Sequence, residues 1–139
     1  MRTSAMFAKE VVSVDPRTPL SKAAELMDQH GVGAVVVAEH SRPVGIVTDR
    51  DIAMAVCGHG VDRGENVQKI MTCPVTTIKQ SDGVYRATQQ LMEAGVRRVP
   101  VVDDCGRLVG IVTLDDLLLL LSRELKNMAE GIKAEMPVA

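Results

Sequence analysis

The stretch Gly45-Ile46-Val47-Thr48-Asp49-Arg50-Asp51 recurs as Gly110-Ile111-Val112-Thr113-Leu114-Asp115-Asp116. In each copy a glycine leads through two β-branched apolar residues to a threonine, with an acid three positions later. The apolar residues predict the end of a buried strand, and Thr-x-x-Asp predicts the first turn of a helix. A strand feeding a helix N-terminus presents unpaired backbone N–H groups and a partial positive charge, a natural seat for a phosphate or another anion. The threonine adds a hydroxyl, and the aspartate can accept two hydrogen bonds from a diol such as ribose. The same pattern is also a capping box, in which the threonine caps the helix and the acid reaches back to the cap N–H. Duplication does not separate the two readings, because a duplicated fold duplicates its caps.

Outward from these stretches, both copies follow one plan. Val11 to Val14 predicts a strand, and Asp15 to Pro19 a turn with Thr18 as N-cap and Pro19 at the first helical position. Leu20, Ala23, Ala24 and Met27 mark one helix face, which Gly31 and Gly33 end. Ala34 to Ala38 reads as a continuous apolar strand, turned by Ser41-Arg42-Pro43 into Val44 to Val47, and a helix runs from Thr48 to about Cys57. After a glycine-rich linker from Gly58 to Asn66 the plan repeats. Val75 to Ile78 is the strand, Ser81-Asp82 the turn, Val84, Ala87 and Leu91 the helix face, and Gly95 the stop. Arg98 to Val102 and Leu108 to Val112 are the next strands, joined at Asp104-Cys105-Gly106. The copies align at a constant offset, save one residue in this hairpin.

A β-α-β-β-α unit this small cannot bury both sheet faces alone, so the two units are expected to pack face to face about a pseudo-twofold axis. The unbroken apolar strands agree, since a sheet face in water would show alternation. The fold class is therefore α/β (α+β), with one unit over 1–60, a linker over 61–69, the second unit over 70–125, and a C-terminal helix and tail over 126–139. Residues 1–10 form a lead-in with a helical turn around Met6-Phe7. The last helix extends to about Lys133 and carries Leu121, Leu125, Met128 and Ile132 as a stripe. The run Leu117 to Leu121 puts apolar side chains all round it, which predicts a subunit interface and a homodimer.

Composition narrows the function. Of 139 residues, 46% are hydrophobic and 24% charged, as in a foldable globular chain. The formal net charge of −2 lacks the basic footprint of a nucleic-acid binder. Tyr85 and Phe7 are the only aromatics, so no platform for stacking bases exists. The apolar run Leu117 to Leu121 is too short to span a bilayer. With no signal-peptide pattern around Arg2 and Lys9, a cytoplasmic protein is expected. Cys57, Cys73 and Cys105 form no CxxC and predict free thiols, and Cys57-Gly58-His59 lacks a second ligand pair for a metal. His30 and His40 have no catalytic partner pattern. No nucleophile–base pair emerges, so no enzyme activity is expected.

The paired units with Gly-x-x-Thr-x-x-Asp resemble a tandem cystathionine-β-synthase (CBS) domain pair, or Bateman module. Lys69-Ile70-Met71-Thr72 with Pro74, and Arg97-Arg98-Val99-Pro100-Val101-Val102, extend the resemblance over about residues 3–125. With no enzyme or transporter domain attached, the chain resembles the stand-alone class. The resemblance implies a regulatory module for an adenosine-containing ligand (AMP, ADP, ATP, NAD or S-adenosylmethionine), dimeric as a disc of four motifs and acting on a partner protein. It implies that Asp51 and Asp116 hold ribose hydroxyls, and that Thr48 and Thr113 sit by ribose or phosphate. Adenine would slot between Val11-Val12 and Val75-Thr76, with Val35-Val36 and Val99-Pro100. Arg97 and Arg98 would meet phosphate, whereas the first copy has Gly33 and Ala34 there. Strand alternation leads us to expect only one of the two arginines in a given cleft, and Arg50 facing solvent. Pairing of Arg97 and Arg98 with Asp103 or Asp104 is the plainer alternative for those side chains. The rival function is a protein-interaction scaffold that binds no nucleotide, with Thr-x-x-Asp serving as a cap.

Overall fold

The computed structural model describes residues 11–135, so the turn expected at Met6-Phe7 lies outside the described residues. The order is β1 (Ser13–Val14), α1 (Leu20–His30), β2 (Ala34–Glu39), β3 (Arg42–Thr48), α2 (Asp49–Ala53), β4 (Ile78–Lys79), α3 (Val84–Ala94), β5 (Arg98–Val102), β6 (Leu108–Thr113) and α4 (Leu114–Glu135). A π-helical turn, Met54–Gly58, continues α2, and a 3-10 turn, Val67–Lys69, lies in the linker. Two three-stranded sheets result, β1-β2-β3 and β4-β5-β6, each with a parallel first pair and an antiparallel second pair. The α/β architecture of two β-α-β-β-α units with a C-terminal helix is the one the sequence predicts.

The two sheets bury both of their faces. Val35 and Val37 pack with Leu20, Ala23 and Met27 in one core. Val99 and Val101 pack with Ala87, Leu91 and Leu117 in the other. Val36 and its counterpart Pro100 are fully buried yet belong to neither helix-side core. By alternation they point to the opposite sheet face, the one the halves share. Leu108 N–H donates to Ser41 O across the halves at 2.7 Å, tying one hairpin to the other. Inside the second hairpin, Asp103 accepts the N–H groups of Arg107 and Cys105, both at 2.9 Å. The Arg107 backbone bond, chiefly, holds its carboxyl below the usual range.

Local details depart from expectation for identifiable reasons. Pro19, not Thr18, is the N-cap of α1, and no side chain caps that helix. The linker does so instead: Leu20 and Ser21 donate their N–H groups to Glu65 and Arg63 carbonyls, both at 2.9 Å. Thr18 O is itself taken by Val67 N–H at 2.8 Å. Ala24 is exposed, while Leu20, Ala23 and Met27 carry the buried face. The first hairpin turns at His40-Ser41, both with positive φ (52° and 66°), and Arg42-Pro43 already belong to β3. That handedness suits a two-residue hairpin. The leading residues of the predicted first strands, Val11-Val12 and Val75-Thr76, stand outside β1 and β4.

The linker also closes over β3. Ile46 and Thr72 exchange two backbone hydrogen bonds, at 3.0 and 3.3 Å. The neighbouring Met71 covers Gly45 so closely that an added Cβ would lie 2.5 Å from its Sδ and 3.1 Å from its own Cβ. Gly45→Ala should therefore destabilise by about 1–3 kcal/mol through overpacking. In a Met71→Ala background most of that loss should vanish. Denaturant titration of the four proteins checks the cycle, and equal losses in both backgrounds would contradict it.

Candidate functional site

Each Thr-x-x-Asp turn sits where a sheet strand hands over to a helix. In the first, Asp51 N–H donates to Thr48 Oγ1 at 3.0 Å and Thr48 N–H donates to Asp51 Oδ2 at 2.9 Å. The capping box is thus complete. In the second, Asp116 N–H donates to Thr113 Oγ1 at 3.1 Å. The strand entries are matched too, since Asp49 N–H reaches Gly33 O at 2.9 Å and Leu114 N–H reaches Arg97 O at 2.7 Å. Capping does not exhaust a carboxylate, which has about four acceptor sites over its two oxygens.

The first turn opens into a cleft between the halves. A cavity of about 340 Å³ is lined by Thr48, Asp49, Arg50 and Asp51 from the first half and by Val96, Arg97 and Arg98 from the second, with Ile46 and Thr72. A smaller lobe of about 170 Å³ shares Ile46, Thr72, Val96 and Arg98, and adds Pro74, Val75, Thr76 and Ala94. One end is polar and the other apolar. The first copy's Thr-x-x-Asp therefore faces the second copy's arginines, a pairing that no spacing within one copy reveals.

Both Arg97 and Arg98 line this cleft, against the expectation that alternation would send one of them elsewhere. Alternation governs residues within a strand, and β5 begins only at Arg98. Arg50, expected to face solvent, is exposed but also lines the cleft. None of the three guanidiniums has an ion-pair partner among the described residues, where the pairs are Lys22–Glu25, Lys69–Glu65 and Arg107–Asp103. Asp103 thus holds Arg107 rather than Arg97 or Arg98. The asymmetry between copies is also visible in space. A methyl group on Gly33 would lie 3.8 Å from Arg98 Nη1 and 3.4 Å from Asp49 Oδ2. Both are ordinary van der Waals distances, so Arg98 of the second copy lies beside Gly33 of the first without excluding a Cβ there.

The remaining candidates are distributed differently. Val75 and Thr76 line the apolar lobe. Val99 and Pro100 are fully buried and line neither lobe, and Val35 and Val36 are also buried throughout. Val11 and Val12 line a separate cavity of about 240 Å³ with Ser13, Leu26 and His30. It is the pseudo-symmetric counterpart of the apolar lobe, with His30 in the place of Ala94. Thr113 and Asp116 do not line the cleft. Residues 8–10, which align with Thr72 to Pro74, lie outside the described residues. Ile46, Thr72 and Val96 carried no motif signal and are found only through the packing of the halves. Among the described residues no group of three metal-ligating side chains occurs, and no helix is long and apolar enough to cross a membrane.

Because the Thr48 hydroxyl is a working cap, Thr48→Ala should lower the stability of the ligand-free protein by about 1 kcal/mol, and Thr48→Ser should restore it. Chemical denaturation without nucleotide reads both; an unchanged Thr48→Ala midpoint would mean that the hydroxyl caps nothing.

Known proteins share this arrangement. The CBS domain family model matches residues 4–58 and again 67–123. CBS domain-containing protein YhcV of Bacillus subtilis is 37% identical over 122 residues, covering 88% of this chain and 84% of that protein. An uncharacterized protein of Methanopyrus kandleri is also 37% identical over 112 residues, covering 79% of this chain, which spans only 57% of that relative's length. Among solved structures, a CBS domain protein from Pyrobaculum aerophilum complexed with AMP superposes with a TM-score of 0.78, at 26% identity over 88% of this chain and 99% of that one. A CBS domain pair in complex with 5′-methylthioadenosine and S-adenosyl-L-methionine gives a TM-score of 0.78, at 27% identity over 89% of this chain and 98% of that one. With two matched copies filling most of its length, the chain belongs to the CBS domain family as a tandem pair.

Proposed function

We infer that the cleft between the halves binds an adenosine nucleotide and that the chain is a regulatory, non-catalytic module. The observation that carries this is the convergence on one cavity of three guanidiniums with no ion-pair partner among the described residues, a Thr-x-x-Asp turn and an apolar lobe. Those three parts match phosphate, ribose and base in order. Arg50, Arg97 and Arg98 supply charge-assisted donors to phosphate. Asp51 and Thr48 take the ribose hydroxyls, and Val75, Thr76 and Val96 flank the base. The AMP and S-adenosylmethionine complexes of the structural neighbours support an adenosine-containing ligand. Within that class the arginines favour phosphorylated members (AMP, ADP, ATP or NAD) in this cleft. In this reading Thr113 and Asp116 belong to a second site, which has no arginine pair, with Val11 and Val12 lining a separate cavity on the first half.

A ligand here touches both halves at once, Thr48–Asp51 on one side and Arg97–Arg98 on the other. Differential affinity for two arrangements of the halves would then shift their populations, and a cytoplasmic partner protein would read the shift. The scaffold reading draws on the complete capping box, which gives Thr48 and Asp51 a structural role without any ligand.

Two measurements separate these. A nucleotide at 100 times its Kd should stabilise the folded chain by about 2.7 kcal/mol, visible as a thermal shift, and 2′-deoxy-AMP should bind at least about tenfold more weakly than AMP through loss of one charge-assisted bond. No shift with any adenosine compound would favour the scaffold, and equal AMP and 2′-deoxy-AMP affinities would return Asp51 to capping alone. Arg97→Ala with Arg98→Ala should weaken AMP and ATP strongly while adenosine changes little, and raising salt should narrow the gap between wild type and variant. Proportional loss of adenosine and ATP would mean that the arginines act through the fold.

A further inference from the structure

The carboxylate of Asp49 is the one charged group of the cleft to which the nucleotide reading gives no part. It stands at the first position of α2, directly after the cap Thr48, and lines the cleft with Arg50, Arg97 and Arg98. Its Oδ1 accepts the Arg50 N–H at 2.7 Å, and no ion pair holds it among the described residues. The second copy has Leu114 at this position, so the Thr-x-x-Asp turn does not itself require an acid there. Backbone fixes the place. Asp49 N–H donates to Gly33 O at 2.9 Å, and a Cβ on Gly33 would lie 3.4 Å from Asp49 Oδ2 and 3.8 Å from Arg98 Nη1. Carboxylate and guanidinium therefore stand within about 7 Å of each other around one glycine, without forming an ion pair.

Open space continues past Asp49. A cavity of about 400 Å³ is lined by Asp49 together with Met27, Asp28, Val32, Gly33 and Ile52, and none of the described residues lining it is basic. It shares Asp49 with the cleft. A phosphate chain that lengthens in this direction leaves three cations and meets two carboxylates. We propose that Asp49 makes the cleft selective for short phosphate chains, holding the monophosphate better, relative to the triphosphate, than the three arginines alone would. This rests on the nucleotide reading of the same cleft and narrows its ligand class. The cause is charge: a fixed carboxylate opposes every negative charge the ligand adds nearby, so its penalty grows with the number of phosphates. Asp51 cannot discriminate in this way, because its role at the ribose is the same for both nucleotides.

The test compares AMP with ATP in EDTA at low salt, by calorimetry on the full chain carrying Asp116→Asn, which removes the second motif's ribose carboxylate. Metal-free ATP bears roughly two more negative charges than AMP. Asp49→Asn, which can keep the bond to Arg50 N–H, should lower the ratio of the ATP Kd to the AMP Kd by about three- to tenfold, and higher salt should shrink that change. Asp49→Leu, which installs the second copy's side chain, should do the same, while Asp49→Glu should keep the parent ratio. Asp49 is exposed, so the variants should fold, and melting checks each. An unchanged ratio in both charge-removing variants, with AMP and ATP still bound, overturns the selectivity and leaves the nucleotide reading standing. So does a ratio that falls equally far in Asp49→Glu, since shape and not charge would then be responsible. Binding that vanishes with Asp116→Asn places the ligand at the second motif and overturns it as well. If the natural chain binds neither nucleotide, the nucleotide reading falls first and this inference with it.

Discussion

The linker laid across the first half is the constraint on which the rest depends. Val67 is wholly buried in the first core, and its N–H is bonded to Thr18 O. From that anchor the chain supplies carbonyls to the start of α1 and then pairs Thr72 with Ile46 on β3. A helix end with no side-chain cap would otherwise leave its first N–H groups to water. The strap thus completes one half while fixing where the next begins. Its continuation, Pro74 to Thr76, becomes the apolar wall of the cleft. The site is built by the connection as much as by either repeat.

The fold was legible because each element announced itself locally. Gly31 and Gly95 end their helices with left-handed backbone, φ 63° and 65°, where side-chain-bearing residues would be strained. The apolar runs at Val35–Val37 and Val99–Val102 could only be buried strands. What the sequence withheld is relational. The missing cap of α1 could not be read because its substitute, Arg63 and Glu65, is remote in sequence and acts through backbone. Arg97 escaped the alternation argument by standing one residue before the strand. Val99 and Pro100 looked like cleft walls because their motif neighbours are, yet one packs under the helices and the other on the shared face. Threonine–aspartate spacing picked out one wall of the candidate cleft, and only the packing of the halves brought the arginines to the other.

Capping and ligand binding at Thr48–Asp51 do not compete. The two bonds of the box fix both side chains before any ligand arrives, so less conformational freedom is lost on binding. Asp51 Oδ2 is engaged by Thr48 N–H, which also fixes the direction of Oδ1. The arginines are prepared differently. Arg97 is exposed and Arg98 half-buried, and neither is held by an acid among the described residues. The Thr48–Asp51 end is therefore held by two backbone bonds, and the arginine end by no acid among the described residues.

The two Thr-x-x-Asp turns, nearly identical in sequence, begin very different helices. α2 lasts five residues before becoming a π-helical turn that leads into the linker. α4 continues for 22 residues and carries the exposed apolar stripe. A force applied at Asp51 is passed within two turns to the strap that positions the second half. A force applied at Asp116 is passed into a helix of 22 residues. Equivalent chemistry at the two turns thus has unequal mechanical consequences: the first bears on how the halves sit against each other, the second on whatever α4 touches. Gly33 of the first copy lies beside Arg98 of the second, so only one copy brings an arginine to this junction. Duplication supplied two Thr-x-x-Asp turns of one design, and the helices that follow them are unequal, five residues against 22.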